Sequence, residues 1–122
     1  MIMLSPHFSR DELKCQCCGR VGRFPKRVKK VVACLEKLRE AVQKPVNITS
    51  WYRCPKHNEN VGGVRGSYHT KDMAVDLWVE GYGLRELAYL AGRAGFGGRG
   101  RYWNRGIVHC DLGAVRDWDE YR

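Results

Sequence analysis

Two segments of this chain carry side chains that could bind a metal ion. The first, residues 66–79 (GSYHTKDMAVDLWV), contains His69 and Asp76, and the second, residues 106–113 (GIVHCDLG), contains His109. Two imidazoles and a carboxylate suit zinc, although ligand type alone leaves manganese or iron open. Three protein ligands leave one position of a tetrahedral zinc free for water, which distinguishes a catalytic zinc from a structural one. The two segments therefore predict a catalytic metal centre.

The alternation of side chains along a strand explains how the two segments could meet. Both AVDLWV and GIVHCDL are strand candidates, and on the second His109 shares a face with Ile107 and Asp111. Asp76 stands in a run apolar enough to be buried, where an unpaired carboxylate would be costly. If the strands pair antiparallel, Asp76 and His109 stand opposite each other, and His69 folds over them from the preceding loop. The alternative is that Asp76 pairs with an arginine.

The remaining pattern predicts an α+β fold with an antiparallel sheet. Ser9 and Glu12 have the spacing of a capping box, and apolar residues recur every three or four positions from Pro25 to Val42, so two helices are expected. Residues 46–52 (VNITSWY) favour a strand, residues 53–68 a long loop with one helical turn, and residues 84–95 a helix. An order in which helices come first, followed by strands around one further helix, is typical of α+β proteins.

Length and composition narrow the class of protein. A chain of 122 residues with 43% apolar and 29% charged residues fits a single domain spanning 1–122, and we expect a monomer. No apolar run approaches the roughly 18 residues of a membrane span. The N-terminal residues lack the features of a secretory signal, which favours synthesis in the cytoplasm without one. A net charge of +9 implies attraction to a polyanion such as nucleic acid, anionic lipid or a teichoic-acid-bearing cell wall.

Six cysteines form a second group of candidate ligands. They are Cys15, Cys17, Cys18, Cys34, Cys54 and Cys110. In a reducing cytoplasm they are expected to be thiols or metal ligands rather than disulfides. The first three include a CxxC spacing and could hold a structural metal with Cys34 or Cys54, or pair oxidatively. A basic metal-thiolate module that binds nucleic acid is a weaker alternative, because a zinc ribbon needs a second CxxC pair.

Four blocks of the chain, in the same order and at suitable spacing, resemble the zinc D-Ala-D-Ala carboxypeptidase family. They are HFSRDELKCQCCG, ITSWYRCPKHNENVGG, SYHTKDMAVD and GFGGRGRYWNRGIVHCDLGAVRDW. The third block is similar to the family motif SxHxxGxAxD. Relatives in that family include the L-alanyl-D-glutamate endopeptidases of phage endolysins and the hedgehog signalling domain.

This resemblance implies a hedgehog-like or DD-peptidase-like fold with one catalytic zinc on His69, Asp76 and His109. It also implies a hydrolase of stem-peptide bonds in peptidoglycan, either an L-Ala-D-Glu endopeptidase or a D-Ala-D-Ala carboxypeptidase. A phage-type endolysin that acts on the anionic cell wall after release is the expected setting. The alternative within the same fold is a zinc-containing binding domain without catalysis.

The resemblance also implies roles for residues around the metal. Arg53 is expected to hold the carboxylate of the substrate, a task that suits the planar guanidinium group. Its alternative is a buried structural ion pair. Tyr52, Asn58 and Ser67, in the same blocks, are the further expected substrate-binding residues.

The general base is the least defined part of the predicted site. In the family it is an acidic residue close to the last ligand, but none of residues 104–108 is acidic. Asp111 is therefore the candidate base, and its alternative role is to orient His109 through the other ring nitrogen. Asp72, which stands where the motif has Gly, is an alternative base, and aspartate tolerates a positive φ better than most residues. Trp51 replaces another Gly of the family and is expected to narrow or line the cleft.

Overall fold

The computed structural model describes residues 2–63 and 66–122. They form an α+β fold, as predicted. The helices are α1 (Arg10–Leu13), α2 (Pro25–Val42), α3 (Pro55–Asn60) and α4 (Leu84–Arg93), with a 3₁₀ helix at Tyr68–Lys71. In the described part of the chain, none of the helices is both long and apolar enough to cross a bilayer.

The strands form a small hairpin and one five-stranded sheet. The hairpin is β1 (Met3–Ser5) and β2 (Phe8–Ser9); the sheet contains β3 (Asn47–Ser50), β4 (Ala74–Trp78), β5 (Gly98–Tyr102), β6 (Ile107–Asp111) and β7 (Arg116–Glu120). Its order is β3-β4-β6-β5-β7. Neighbouring strands are antiparallel, as predicted, except that the edge strand β7 runs parallel to β5.

The two predicted N-terminal helices form for the reasons that their sequences suggest. Ser9 caps α1 with the complete capping box, in which its side chain accepts from the amide of Glu12 and the Glu12 carboxylate accepts from the amide of Ser9. The apolar stripe of α2 is buried, with Leu35 and Leu38 at zero exposure. Helix α2 begins at Pro25, a favoured first position because its missing amide hydrogen has no partner in a helix anyway.

One face of the sheet supplies the core. Val75 and Leu77 of β4 and Val108 and Cys110 of β6 are fully buried, together with residues of α2 and α4 such as Leu87. Because side chains alternate along a strand, the residues between them point to the opposite face. The polar residues of β4 and β6 therefore gather on one side of the sheet.

On that polar face, strand register aligns side chains in two rows. The first row crosses all five strands through Ser50, Asp76, His109, Gly100 and Trp118, and the second contains Ala74, Asp111, Gly98 and Arg116. A β-carbon at Gly100 would collide with the Trp118 ring, and one at Gly98 with the Asp111 carboxylate and the Arg116 guanidinium. The two glycines therefore let side chains of β7 reach across β5 to β6.

Asp72 adopts the left-handed conformation that its place in the motif suggested, with a φ of 57°. It is 1% exposed, and its Oδ2 accepts a hydrogen bond of 3.0 Å from the amide of Phe24. Its Oδ1 has no hydrogen-bond partner among the described residues. Burial raises the pKa of Asp72, although the Phe24 amide and the charge of Arg27 act in the opposite direction.

We expect the substitution Asp72→Asn to stabilise the protein at neutral pH. A carboxyl group whose pKa rises on folding weakens the folded state above that pKa, and the penalty disappears as the pH falls through it. Asparagine also tolerates a positive φ and keeps an acceptor for the Phe24 amide. Thermal unfolding should show a Tm higher by a few degrees at pH 7 and a smaller gain at pH 4. Exposed Asp11→Asn is the control, and an equal gain at both pH values would contradict the explanation.

Candidate metal centre and its cleft

The three predicted ligands converge on the polar face of the sheet. Asp76 and His109 stand opposite each other in the β4–β6 register, as the antiparallel pairing predicted. His69 lies on the 3₁₀ helix and reaches the same point, with its Nε2 3.0 Å from Asp76 Oδ1. His109 Nδ1 is 3.1 Å from the same oxygen. One ligand atom from each residue lies within 4.8 Å of the other two.

The outer nitrogen of each imidazole is held by an acceptor. His69 Nδ1 lies 2.7 Å from the carbonyl oxygen of Trp51, and His109 Nε2 lies 2.8 Å from Oδ2 of Asp111. Since both partners only accept hydrogen bonds, the outer nitrogens carry the protons. Contacts of this kind orient histidines that bind metals and fix which ring nitrogen is available.

This arrangement creates a place for a cation. In the neutral imidazoles, the inner nitrogens of His69 and His109 present lone pairs that face Oδ1 of Asp76, itself an acceptor. Acceptors at about 3 Å repel each other unless a proton or a metal ion lies between them. The donor set of two nitrogens and one carboxylate oxygen fits zinc. The residues present therefore fit the predicted metal.

The pKa values of Asp76 and His109 reflect the same attraction between the carboxylates and a positive charge. Burial alone would raise the pKa of Asp76, but the charge of His69 and the hydrogen bonds from both histidines hold it well below its usual range. Burial alone would lower the pKa of His109, but the hydrogen bonds to Asp111 and Asp76 raise it to about 9. Asp76 and Asp111 thus stabilise the protonated, positively charged form of His109.

Arg53 is bound directly to the metal-site carboxylate. Its Nη2 donates to Asp76 Oδ2 at 2.9 Å, and its Nε donates to the hydroxyl of Ser50 at 2.9 Å. Its Nη1 donates to Oδ1 of Asn58 at 3.3 Å. The guanidinium is therefore held rigidly, which is the ion pair that the sequence left as the alternative role. It still lines the cleft described below, so both roles are available to it.

Asp111 is fully buried beneath His109 and accepts hydrogen bonds on both oxygens. Arg116 donates to both oxygens at 3.0 and 2.7 Å, and the amide of Gly113 donates at 2.9 Å. Burial alone would raise the pKa of Asp111, but the bonds from His109, Arg116 and Gly113 lower it to about 2. This geometry favours the orienting role over the general-base role. The base assignment stays a prediction.

A cleft with a volume of about 360 Å³ opens over the three ligands. Among the described residues, its cationic lining is Arg53, Arg105, Arg116 and Arg122, and its aromatic lining is Tyr68, Tyr102 and Trp118. A second cavity of about 310 Å³ adjoins it and shares Arg53, Val61, Asp76 and Arg105 with it. Asp76 therefore borders both cavities.

The other predicted site residues are placed differently from one another. Ser67 lines the cleft, and its hydroxyl accepts from the amide of His69 at 3.2 Å. Among the described residues that line the cleft, neither Tyr52 nor Asn58 is present: Tyr52 packs against the core and Asn58 is buried behind Arg53. Their role in substrate binding stays a prediction.

The expectation that the Trp51 ring narrows or lines the cleft is wrong. The residue is 1% exposed and packs edge-on against Phe8, with ring centroids 6.5 Å apart. It acts on the site through its backbone, because its carbonyl fixes His69. Asp72 contacts the loop before α2 instead of lining the described cleft.

The sequence did not single out the aromatic and cationic wall of the cleft. The Arg116 guanidinium lies between two rings, 5.3 Å from the centroid of Tyr68 and 5.0 Å from that of Trp118. The His109 ring lies 5.7 Å from Trp118 and 6.3 Å from Tyr102. The sequence did contain one signal of this wall: Arg116 and Trp118 are two positions apart on a short strand, a spacing that places both side chains on one face.

Comparison with known proteins gives the same family as the blocks of sequence. The chain is 36% identical over 81 residues to the peptidoglycan L,D-endopeptidase MepK of Escherichia coli (strain K12), and equally to the MepK of Shigella flexneri. Each match covers 62% of this chain and 44% of the relative, so the chain aligns with less than half the length of these relatives. The sequence model of the Peptidase M15 family matches residues 6–111, a range that includes all three predicted ligands. The chain belongs to the Peptidase M15 family.

Proposed function

We propose that the protein hydrolyses peptide bonds in the stem peptides of peptidoglycan, with one zinc ion on His69, Asp76 and His109. The observation that carries this proposal is the convergence of two oriented imidazoles on one carboxylate at the floor of an open cleft. Zinc at such a site supplies Lewis acidity toward a carbonyl oxygen and acidifies water. The names of the MepK relatives support peptidoglycan as the substrate.

The side chains around the ligands have defined tasks in this proposal. Arg53 holds Asp76 in place and presents its guanidinium to the cleft, where it can bind a carboxylate of the substrate. Asp111 and Arg116 hold the His109 ring so that its Nδ1 faces the centre of the site. The Trp51 carbonyl does the same for His69.

The charge of the cleft fits an anionic peptide. Four arginines line it, whereas Asp76, itself a ligand, is the one acidic residue among its described lining residues. Stem peptides carry free carboxylates, so they are attracted to such a surface. The overall charge of +9 also favours association with an anionic cell wall, which is the proposed place of action and agrees with the endolysin role predicted from the resemblance.

The adjoining cavities favour an endopeptidase over a carboxypeptidase. An endopeptidase must accommodate peptide on both sides of the scissile bond, and two adjoining cavities border Asp76. The carboxypeptidase activity of the wider family is the second candidate.

Digestion of purified peptidoglycan, followed by mass spectrometry of the soluble fragments, tests the proposal. We expect the zinc-loaded protein to create new amino termini within stem peptides, and a chelator to abolish this. Release of terminal D-Ala alone would identify a carboxypeptidase instead. If the zinc-loaded protein binds walls of several types but releases no fragment, the domain is a binding module. Tight, salt-sensitive DNA binding without hydrolysis would support the nucleic-acid alternative.

A further inference from the structure

A second group of metal-binding side chains lies outside the cleft. The sulfur atoms of Cys15, Cys17, Cys18 and Cys54 all lie within 4.8 Å of one another. Cys17 Sγ is 3.6 Å from Cys15 Sγ and 3.4 Å from Cys54 Sγ. Four thiolates bound to one tetrahedral zinc at ~2.3 Å have sulfur atoms about 3.8 Å apart, so the cluster is close to the size of such a site.

Backbone hydrogen bonds close the loop that carries Cys15, Cys17 and Cys18. The amide of Cys15 donates to the carbonyl of Arg20 at 2.8 Å, and the amide of Gly19 donates to the carbonyl of Cys15 at 2.8 Å. Gly19 has a φ of 70°, which lets the chain turn back on itself immediately after Cys18. Three of the four sulfurs thus come from one closed loop.

The fourth sulfur comes from the segment that also supplies Arg53. The amide of Cys54 donates to Cys15 Sγ at 3.4 Å, and the amide of His57 donates to Cys54 Sγ at 3.4 Å. Amides that donate to sulfur stabilise negatively charged thiolates, the form in which cysteine binds a metal. The other two cysteines, Cys34 and Cys110, are not in the cluster.

We infer that Cys15, Cys17, Cys18 and Cys54 bind one structural zinc ion that fastens the loop before α2 to the segment entering α3. A disulfide joins sulfurs in pairs, whereas one ion satisfies four sulfurs that converge at a single point. With four protein ligands the site is closed, so its role is to stabilise the fold. This second metal is independent of the proposed hydrolysis.

Metal analysis distinguishes the two zinc sites. We expect protein purified under reducing conditions to hold two zinc ions per chain, one for each cluster. Asp76→Ala should hold one, and a Cys17→Ser/Cys18→Ser double variant, whose replaced side chains are exposed, should also hold one. Cys34→Ser, a cysteine outside the cluster, should still hold two.

X-ray absorption at the zinc edge gives a result that does not depend on any variant folding. The wild-type spectrum should show sulfur ligands at ~2.3 Å, and cobalt-loaded protein should show intense sulfur-to-cobalt charge-transfer absorption. Absence of sulfur around zinc would overturn the inference. So would freshly purified protein whose denatured mass is lower by four hydrogens, since that would mean two disulfides.

Discussion

Replacing Asp76 with alanine is expected to lower the rate of peptidoglycan hydrolysis by about 10³-fold or more and to remove the zinc ion of the cleft. The reason is that one carboxylate serves three partners: both histidines face its Oδ1, and Arg53 donates to its Oδ2. Without it, neither the donor set nor the position of Arg53 is maintained. Both expectations are tested by measuring fragment release and zinc content on the same preparations of wild-type and Asp76→Ala protein.

The stability of the variant has to be followed at the same time. Arg53 is 9% exposed, and breaking a buried ion pair costs roughly 3–5 kcal/mol. His69→Ala removes a ligand and leaves the pair between Arg53 and Asp76 intact, so it should lose activity with a smaller loss of stability. His7→Ala is the matched control, because that histidine pairs with Glu36 outside the cleft. Wild-type hydrolysis by folded Asp76→Ala protein would show that the site is wrongly assigned.

The substitution Asp111→Asn is expected to weaken zinc binding in the cleft by roughly 10- to 100-fold. An asparagine keeps one acceptor oxygen but has no charge for Arg116, and it cannot accept from His109, Arg116 and Gly113 together. The His109 ring is then less firmly held. Hydrolysis should therefore fall at limiting zinc and recover when zinc is in excess.

The same variant separates the two roles of Asp111. An orienting residue leaves the acidic limb of the pH-rate profile in place once zinc is saturating. A general base accounts for a factor of roughly 10²–10⁴, so its loss would persist at saturating zinc and the acidic limb would disappear. That second result would support the base role predicted from the sequence. Asp117→Asn, an exposed carboxylate on β7 that pairs with Arg101, is the control.

The convergence of Asp76 and His109 was predictable because simple alternation governs the strands that carry them. Period-two spacing placed His109 and Asp111 on one face, and antiparallel pairing put Asp76 opposite His109; the structure confirms both. The capping box at Ser9 and the apolar stripe of α2 are similarly local signals. The alternation, the capping box and the apolar stripe depend on residues close together in sequence, whereas the pairing of Asp76 with His109 joins two strands that are distant in sequence.

The features that the sequence did not predict depend on contacts between distant residues. Strand β5 was not among the predicted strands, since glycine has a low strand propensity and its sequence is GRGRY. Its glycines are required by side chains from β6 and β7, which sequence spacing does not reveal. Likewise, spacing could not choose between Cys34 and Cys54 as the partner of the N-terminal cysteines, because that depends on how the loop folds against α3.

Strand β5, in which Gly98 and Gly100 have no side chains, limits how the ligand specificity of this cleft can be changed. Gly98 and Gly100 occupy positions where any side chain would displace the supports of His109, so randomising them would yield mostly inactive clones. Arg105 is exposed on the cleft rim and its side chain packs over the ring of Tyr102. A mutant library aimed at new wall chemistries should therefore leave the two glycine codons fixed and vary Arg105 and the neighbouring rim.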